Sequence, residues 1–282
     1  MAVLSVLTVD LHSHSRVSDG LLPPVDLARR AADNGVDLLA LTDHDETSGL
    51  ADARAVAESS AIRFIDGVEI SIAWGGLQVH IVGLDFDTRD AALNAGLGSI
   101  RAGRVARAKR MSEELEKFGL PDCLAGASRH AENPNLIGRS HFARYLVEIG
   151  VCRDMHSVFE SFLVPGKPGY VTHQWATLAE AVGWILGAGG VAVIAHPGRY
   201  KFSRLETRAL FDEFKGLGGQ AIEVISGNFS PEHFAGFSRL ALEYGFLASC
   251  GSDFHGPEES RVDVGKNVRL PDKLTPVWTA FH

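Results

Sequence analysis

The chain has 282 residues, 45% of them hydrophobic and 22% charged, the composition of a globular protein long enough to bury a full core. Its formal net charge of −8 argues against general coating of nucleic acid or of an anionic membrane surface, although bound divalent cations would reverse that sign locally. No apolar run approaches the ~20 residues of a membrane span, and residues 1–9 carry neither a basic segment nor a cleavage signature, so no membrane partner and a cytoplasmic location are expected.

Residues 3–9 read as a buried strand. Pro23-Pro24 then opens a helix with Leu27, Ala28, Ala31 and Ala32 on one side and Gly35 as its stop. A second strand is expected over 36–42 and an Ala-rich helix over 48–59. Two short β pieces follow at 62–65 and 68–72, and 77–86 alternates as a strand should. From residue 91 to about 164 no strand is convincing: a long helix is expected over 97–118, then shorter ones over 140–149 and 155–162. Pro165-Gly166-Lys167-Pro168-Gly169 marks the return to helices at 177–186, 204–217 and 231–244, alternating with strands at 191–195, 221–225 and 247–251. Strands alternating with helices of this length predict an α/β fold with a parallel sheet closed into a barrel. The chain then divides into barrel (1–98), helical insertion (99–165) and barrel again (166–282). Cys123, Cys152 and Cys250 are odd in number, lack CxxC spacing and read as reduced packing residues.

The chemistry sits where the apolar runs end. Asp10-Leu11-His12-Ser13-His14 closes the first run and puts two imidazoles on one side of an extended backbone. His44, Glu69, His80, His196, Asp253 and His255 fall at or near the ends of later runs, and Asp19 lies in the loop after the first. In a (β/α) barrel, functional groups collect at the C-terminal ends of strands, so these nine residues are expected to form one polynuclear metal centre. Imidazole and carboxylate without thiolate suit Mn²⁺, Zn²⁺ or Fe²⁺, and nine candidates suit two or three ions. Glu69 is the expected bridging carboxylate. Asp10 and Asp43 are expected to orient imidazoles, with Asp45 and Glu223 as weaker supporting or capping acids. Isolated His130, His156, His173 and His233 read as ordinary hydrogen-bonded histidines.

Taken in order, Asp10-Leu11-His12-Ser13-His14-Ser15, Thr42-Asp43-His44-Asp45, Gly67-Val68-Glu69-Ile70, Ile194-Ala195-His196-Pro197 and Gly251-Ser252-Asp253-Phe254-His255-Gly256 resemble the motifs of the polymerase and histidinol phosphatase (PHP) family. The resemblance implies a distorted (β/α)₇ barrel of the amidohydrolase-like type and a trinuclear site. It would assign His12, His14, Glu69 and Asp253 to one ion, Glu69, His80 and His196 to a second, and Asp19, His44 and His255 to a third. Asn135-Leu136-Ile137-Gly138-Arg139-Ser140-His141 and Gly166-Lys167-Pro168-Gly169-Tyr170-Val171 resemble a narrower branch, the 3′,5′-nucleoside bisphosphate phosphatases, whose relatives trim short RNA from the 5′ end. Ser140 departs from that branch, where Pro is expected.

A water between two divalent ions supplies hydroxide near neutral pH, so phosphate ester hydrolysis needs no Ser or Cys nucleophile. Ser13, Ser252 and Cys250 stand in neither a GxSxG nor a Cys–His arrangement. Phosphate recognition needs cations. Arg199 follows His196-Pro197 and is expected to clamp the reacting phosphoryl group. Arg101, Arg104 and Arg139, with Asn135, are expected to hold a second, remote phosphate of a small nucleotide. The expected activity is removal of a phosphate, the 3′ one, from a 3′,5′-bisphosphorylated nucleoside. The alternatives are a 5′-3′ exoribonuclease on short RNA ends and a non-catalytic metal-binding or regulatory domain.

Overall fold

The computed structural model describes residues 7–173, 175–227 and 229–282. Seven strands run in chain order around one sheet: β1 (Val9–Asp10), β2 (Leu38–Leu41), β3 (Arg63–Trp74), β4 (Leu77–Leu84), β5 (Val191–Ile194), β6 (Ala221–Ser226) and β7 (Leu247–Gly251). Of the first expected strand, residues 3–6 lie outside the described residues. The Leu11 N–H donates to the Cys250 carbonyl at 3.0 Å and the His14 N–H to the Phe254 carbonyl at 2.8 Å, so β1 meets β7 and the sheet nearly closes into a barrel.

Five helices pack around the barrel: α1 (Pro24–Asp33), α2 (Leu50–Ser59), α7 (Leu178–Gly187), α8 (Arg204–Gly216) and α9 (Pro231–Tyr244). The expected parallel order fails at one place. The two β pieces expected at 62–65 and 68–72 are one strand, and β3 and β4 form an antiparallel hairpin, with β4 also antiparallel to β5. Gly75 (φ +56°) and Gly76 (φ +76°) make the turn, both left-handed as a two-residue hairpin of type I′ requires.

Between β4 and β5 the chain builds the insertion. The helix expected from 97 begins earlier: α3 (Ala91–Glu116) starts where the Asp90 carboxylate accepts from the Leu93 N–H at 2.8 Å. Leu93, Leu97 and Ile100 of α3 belong to the barrel core. Ala108, Met111 and Leu115 belong to a second core with Phe142, Leu146, Val158 and Leu163. One rigid helix therefore ties the insertion to the barrel, and the expected boundary at 98 falls inside it. The rest of the insertion is α4 (Cys123–Arg129), α5 (Arg139–Glu148), α6 (Met155–Val158) and a π turn (Phe159–Leu163). No helix among the described residues is long and apolar enough to cross a membrane.

Candidate metal centre

His12 and His14 follow β1, His44 follows β2, His196 follows β5, and Asp253 and His255 follow β7, all at one rim of the barrel. Glu69 and His80 reach the same place by another route. They lie inside the antiparallel hairpin rather than at strand ends. Glu69 pairs with Val82 and His80 with Ser71, so all four face the barrel interior, with Glu69 and His80 diagonal neighbours. One close approach and two left-handed turns shape the rim. A Cβ on Gly251 would lie 2.3 Å from that of His12, so only glycine lets β7 pass His12. His196 (φ +27°) and Asp253 (φ +54°) turn through the left-handed region as the chain leaves its strand, a conformation side chains hold at some cost and which recurs at functional sites.

Glu69 is fully buried at the middle of the cluster. Its Oε1 is 2.8 Å from His80 Nδ1 and 2.8 Å from His196 Nε2. Its Oε2 is 2.9 Å from His44 Nδ1, 3.3 Å from His14 Nε2 and 3.4 Å from His12 Nε2. Asp253 Oδ1 lies 3.3 Å from His14 Nε2 and 3.6 Å from His12 Nε2. Asp19 Oδ1 is 3.4 Å from His255 Nε2 and 3.8 Å from His44 Nε2. All nine expected residues therefore meet. Four groups place one donor atom per residue within 4.8 Å of one another: His14/Asp19/His44/His255, His12/His14/Asp253, His12/Glu69/His196 and His44/Glu69/His80.

The electrostatics fit a cation. Burial opposes ionisation of Glu69, but His80, His44 and His12 outweigh it and hold the carboxyl well below its usual range. Burial and the neighbouring His255 push His14 down to about 3. Asp19 Oδ1, Glu69 Oε2, His14 Nδ1 and Asp253 Oδ1 are buried without a hydrogen bond among the described residues. Such atoms are costly to leave unsatisfied, and divalent ions coordinated here would satisfy the carboxylates among them.

The supporting acids divide differently from expectation. Glu223, on β6, does what was expected of Asp10 and Asp43: it pairs through Oε1 with His12 Nδ1, and its Oε2 accepts from the His196 N–H at 2.7 Å. Asp10 instead accepts from the Ser252 and Gly265 N–H groups at 2.9 and 2.7 Å. Asp43 accepts from the Ser15 N–H at 2.8 Å and from the Ser15 and Ser18 hydroxyls, each at 2.6 Å. Both acids tie loops together, and among the described residues neither holds an imidazole. Tyr200, unremarked in the sequence, accepts from the His80 N–H at 2.9 Å and donates to the Ala195 carbonyl at 3.1 Å, locking β4 to the end of β5. Ser140 donates to Asp19 Oδ2 at 2.9 Å and leaves Oδ1 for the cluster.

The expected phosphate-binding residues scatter. Arg199 Nη2 lies 2.5 Å from Asp253 Oδ2, beside the centre. Arg104 pairs with Asp45, donates to the Ser71 hydroxyl at 2.9 Å and lies over the Trp175 ring. Arg101 donates to the Asp45 carbonyl at 2.6 Å and lies 3.5 Å from Glu46. Arg139 Nη2 donates to Gln78 Oε1 at 3.2 Å. Asn135 is exposed, and among the described residues only its backbone N–H is engaged, by Asn133 at 3.0 Å. A cleft of about 760 Å³ runs from Arg199, Asp253 and His255 to Leu21, Met155 and Phe159, the last two on the insertion.

A family model of the PHP domain matches residues 10–226. A 3′,5′-nucleoside bisphosphate phosphatase from Chromobacterium violaceum is 52% identical over 270 residues, covering 96% of this chain and 95% of that protein. A 5′-3′ exoribonuclease from Escherichia coli is 41% identical over 275 residues, covering 97% and 93%. Among solved structures, an amidohydrolase from Chromobacterium violaceum with bound sulfate and no metal superposes with a TM-score of 0.94 at 52% identity, covering 96% of this chain and 95% of that one. A structure described as a metal-dependent phosphoesterase from Bifidobacterium adolescentis superposes with a TM-score of 0.81 at 27% identity, covering 96% and 93%.

Proposed function

The chain belongs to the PHP family and is a metal-dependent phosphoesterase, and from that premise we propose that it removes the 3′-phosphate from a 3′,5′-bisphosphorylated nucleoside. The observation that carries the reading is the junction of two features. Nine imidazole and carboxylate side chains converge on one buried point, and a cleft of nucleotide size leads away from it past Arg199. The similarity of the bisphosphate phosphatase, at 52% identity over nearly the whole chain, supports the same substrate class.

Two or three divalent ions would be held by His12, His14, Asp19, His44, Glu69, His80, His196, Asp253 and His255, a donor set of nitrogen and oxygen without thiolate that suits Mn²⁺, Fe²⁺ or Zn²⁺. Such ions, when bound, neutralise phosphoryl charge and lower the pKa of water. The protein's own groups do the rest. Glu223 fixes the His12 ring through Nδ1 and so aims Nε2 at the cluster. Arg199, anchored on Asp253 and partly exposed to the cleft, offers its remaining guanidinium N–H groups to a phosphoryl oxygen. Leu21, Met155 and Phe159 give the nucleoside an apolar wall. The substrate is a small phosphorylated nucleotide, and the enzyme acts in the cytoplasm.

A second reading, 5′-3′ exonuclease action on short RNA, is supported by the exoribonuclease relative of similar coverage. One assay separates them. With Mn²⁺, kcat/KM is compared for 3′,5′-bisphosphoadenosine, 3′-AMP, AMP and a 5′-phosphorylated dinucleotide. The proposal expects the bisphosphate to lead, with AMP as product. Preference for the dinucleotide overturns it in favour of the exonuclease.

A further inference from the structure

The four donor groups at the rim are not held in the same way. Three of them, His12/His14/Asp253, His12/Glu69/His196 and His44/Glu69/His80, draw on β3, β4 and the chain just past β1, β2, β5 and β7. The fourth, His14/Asp19/His44/His255, adds two residues that stand farther along the loops after β1 and β7, and neither Asp19 nor His255 belongs to another group. Both loops are gripped by one helix of the insertion. Ser140, in the first turn of α5, donates its hydroxyl to Asp19 Oδ2 at 2.9 Å. Arg144, one turn on and 8% exposed, donates through Nη2 to the Asp19 carbonyl and holds Glu259 through bonds of 2.7 and 2.8 Å. Glu259 precedes Ser260, whose hydroxyl accepts from the His255 N–H at 2.7 Å and the Gly256 N–H at 3.3 Å.

The helix is a firm support. The Gly138 N–H donates to His141 Nδ1 at 3.0 Å where α5 begins, and Phe142, Ala143 and Leu146 lie in the core of the insertion. Its contacts suit a carboxylate kept for a cation. The last torsion of an aspartate side chain is soft, so an unsupported Asp19 would scatter its oxygens. Ser140 engages Oδ2 with a neutral donor, which fixes the carboxylate without cancelling its charge. Oδ1 is left buried beside His255 and His44, without a hydrogen bond among the described residues. Arg144 does bring a charge, but Glu259 meets it, and its bond to Asp19 falls on the backbone.

We propose that Ser140 and Arg144 are positioning residues for the outermost ion of the centre. Helix α5 clamps Asp19 and the His255 loop together, so the insertion sets the affinity of that ion, while the barrel alone sets those of the inner ones. The inference rests on the polynuclear metal centre and not on the identity of the substrate. Binding linkage is mutual, so an ion at this group holds α5 against the barrel in return.

Calorimetric titration of Mn²⁺ into the metal-stripped full chain tests the clamp. Asp19→Asn removes the ligand and so identifies the binding step of the outer group. Ser140→Ala should weaken that step about 10- to 100-fold and leave the others where they are. Ser140→Thr keeps the hydroxyl and should bind as wild type does, as should Lys117→Ala, an exposed change at the end of α3. Ser140→Ala should add nothing in the Asp19→Asn background, because no carboxylate is left to aim. Arg144→Met should weaken the same step; if it does not fold by circular dichroism, Glu259→Gln, which loosens the same arm, takes its place. Hydrogen exchange gives the reciprocal readout: saturating Mn²⁺ should slow amide exchange along α5 in wild type and much less in Asp19→Asn. An outer step that is equal in Ser140→Ala and wild type, a uniform weakening of every step, an Asp19→Asn titration with every step intact, or α5 exchange that ignores Mn²⁺ overturns the clamp and leaves the metal centre standing. A wild type that binds no Mn²⁺ overturns the metal centre itself.

Discussion

The barrel rim and the helical insertion were read from the same sequence, and they behave differently. At the rim, nine residues drawn from six separate stretches meet at one point, with Glu69 within 3.4 Å of five imidazoles. In the insertion, arginines that look alike along α3 have unlike fates: Arg101 and Arg104 meet acids from the β2 loop, while Arg107, one turn on, meets none among the described residues. A metal centre demands particular donor types at particular places. An arginine on a helix accepts any partner that the tertiary fold brings, and the helix itself does not name that partner.

The largest expected effect tests the rim. Removal of divalent ions by a chelator should abolish turnover while far-UV circular dichroism stays native, and elemental analysis of active protein should find more than one equivalent of Mn, Fe or Zn. A single equivalent at full activity would break the polynuclear centre. Glu69→Gln comes next. It keeps the shape and removes the charge that faces five imidazoles, so metal content should fall and kcat should drop by about 10³-fold, the upper range for losing one charge-stabilising group. Near-normal kcat with normal metal content would detach Glu69 from the chemistry.

How far the sequence carries follows the same division. The strand–helix alternation and the convergence of His12, His14, His44, His196, Asp253 and His255 were legible, because apolar runs and their polar ends are local patterns. The hairpin was not, although Gly75-Gly76 between two apolar runs was a usable signal for it. Glu69 and His80 were therefore placed at strand ends when they sit on the inner face of antiparallel strands. Helix α4 is seven residues long and was missed, since so short a segment shows little periodicity. Glu223 and Asp10 could not be ranked from sequence: which acid reaches an imidazole depends on whether β6 or β1 lies opposite it, and that is a matter of topology.

Within the insertion, Arg104 and Arg101 give a graded contrast. Arg104 and Asp45 are both buried, and the Asp45 carboxylate also accepts from the Ser71 N–H at 2.7 Å. Arg104→Met leaves that carboxylate buried without its countercharge, a loss of about 3–5 kcal/mol. Arg101 is partly exposed and shares its acid neighbours, so Arg101→Met should cost about 1 kcal/mol or less. Urea denaturation of both variants measures the difference. Equal losses would mean that the buried pair is no more structural than the surface one.

The smallest effect uses His173 as a reporter of the field that Arg107 creates. His173 packs edge-on against Trp175 and lies so near Gly103 that a Cβ there would fall 2.4 Å from its ring. Burial first, then the charges of Arg107, Arg104 and Arg110, push it down to about 4, with Asp45 opposing. A histidine whose pKa is lower in the folded than in the unfolded chain contributes stability that is present above about 6.5. That contribution is lost as the pH falls from there towards 4, because the unfolded chain takes up the proton first. The imidazole is only half-buried, so screening reduces the contribution to about 1 kcal/mol or less between pH 7.5 and 5. His173→Gln should lower the pH dependence of urea stability by that amount, and the other histidines cancel in the difference between the two proteins. Arg107→Met should raise the His173 pKa, followed by NMR of the ring protons, whereas Arg101→Met should barely move it. If Arg107→Met leaves the titration where it was, the guanidinium is not an unscreened charge at that position, and the contrast between a neutralised Arg104 and an open Arg107 fails with it.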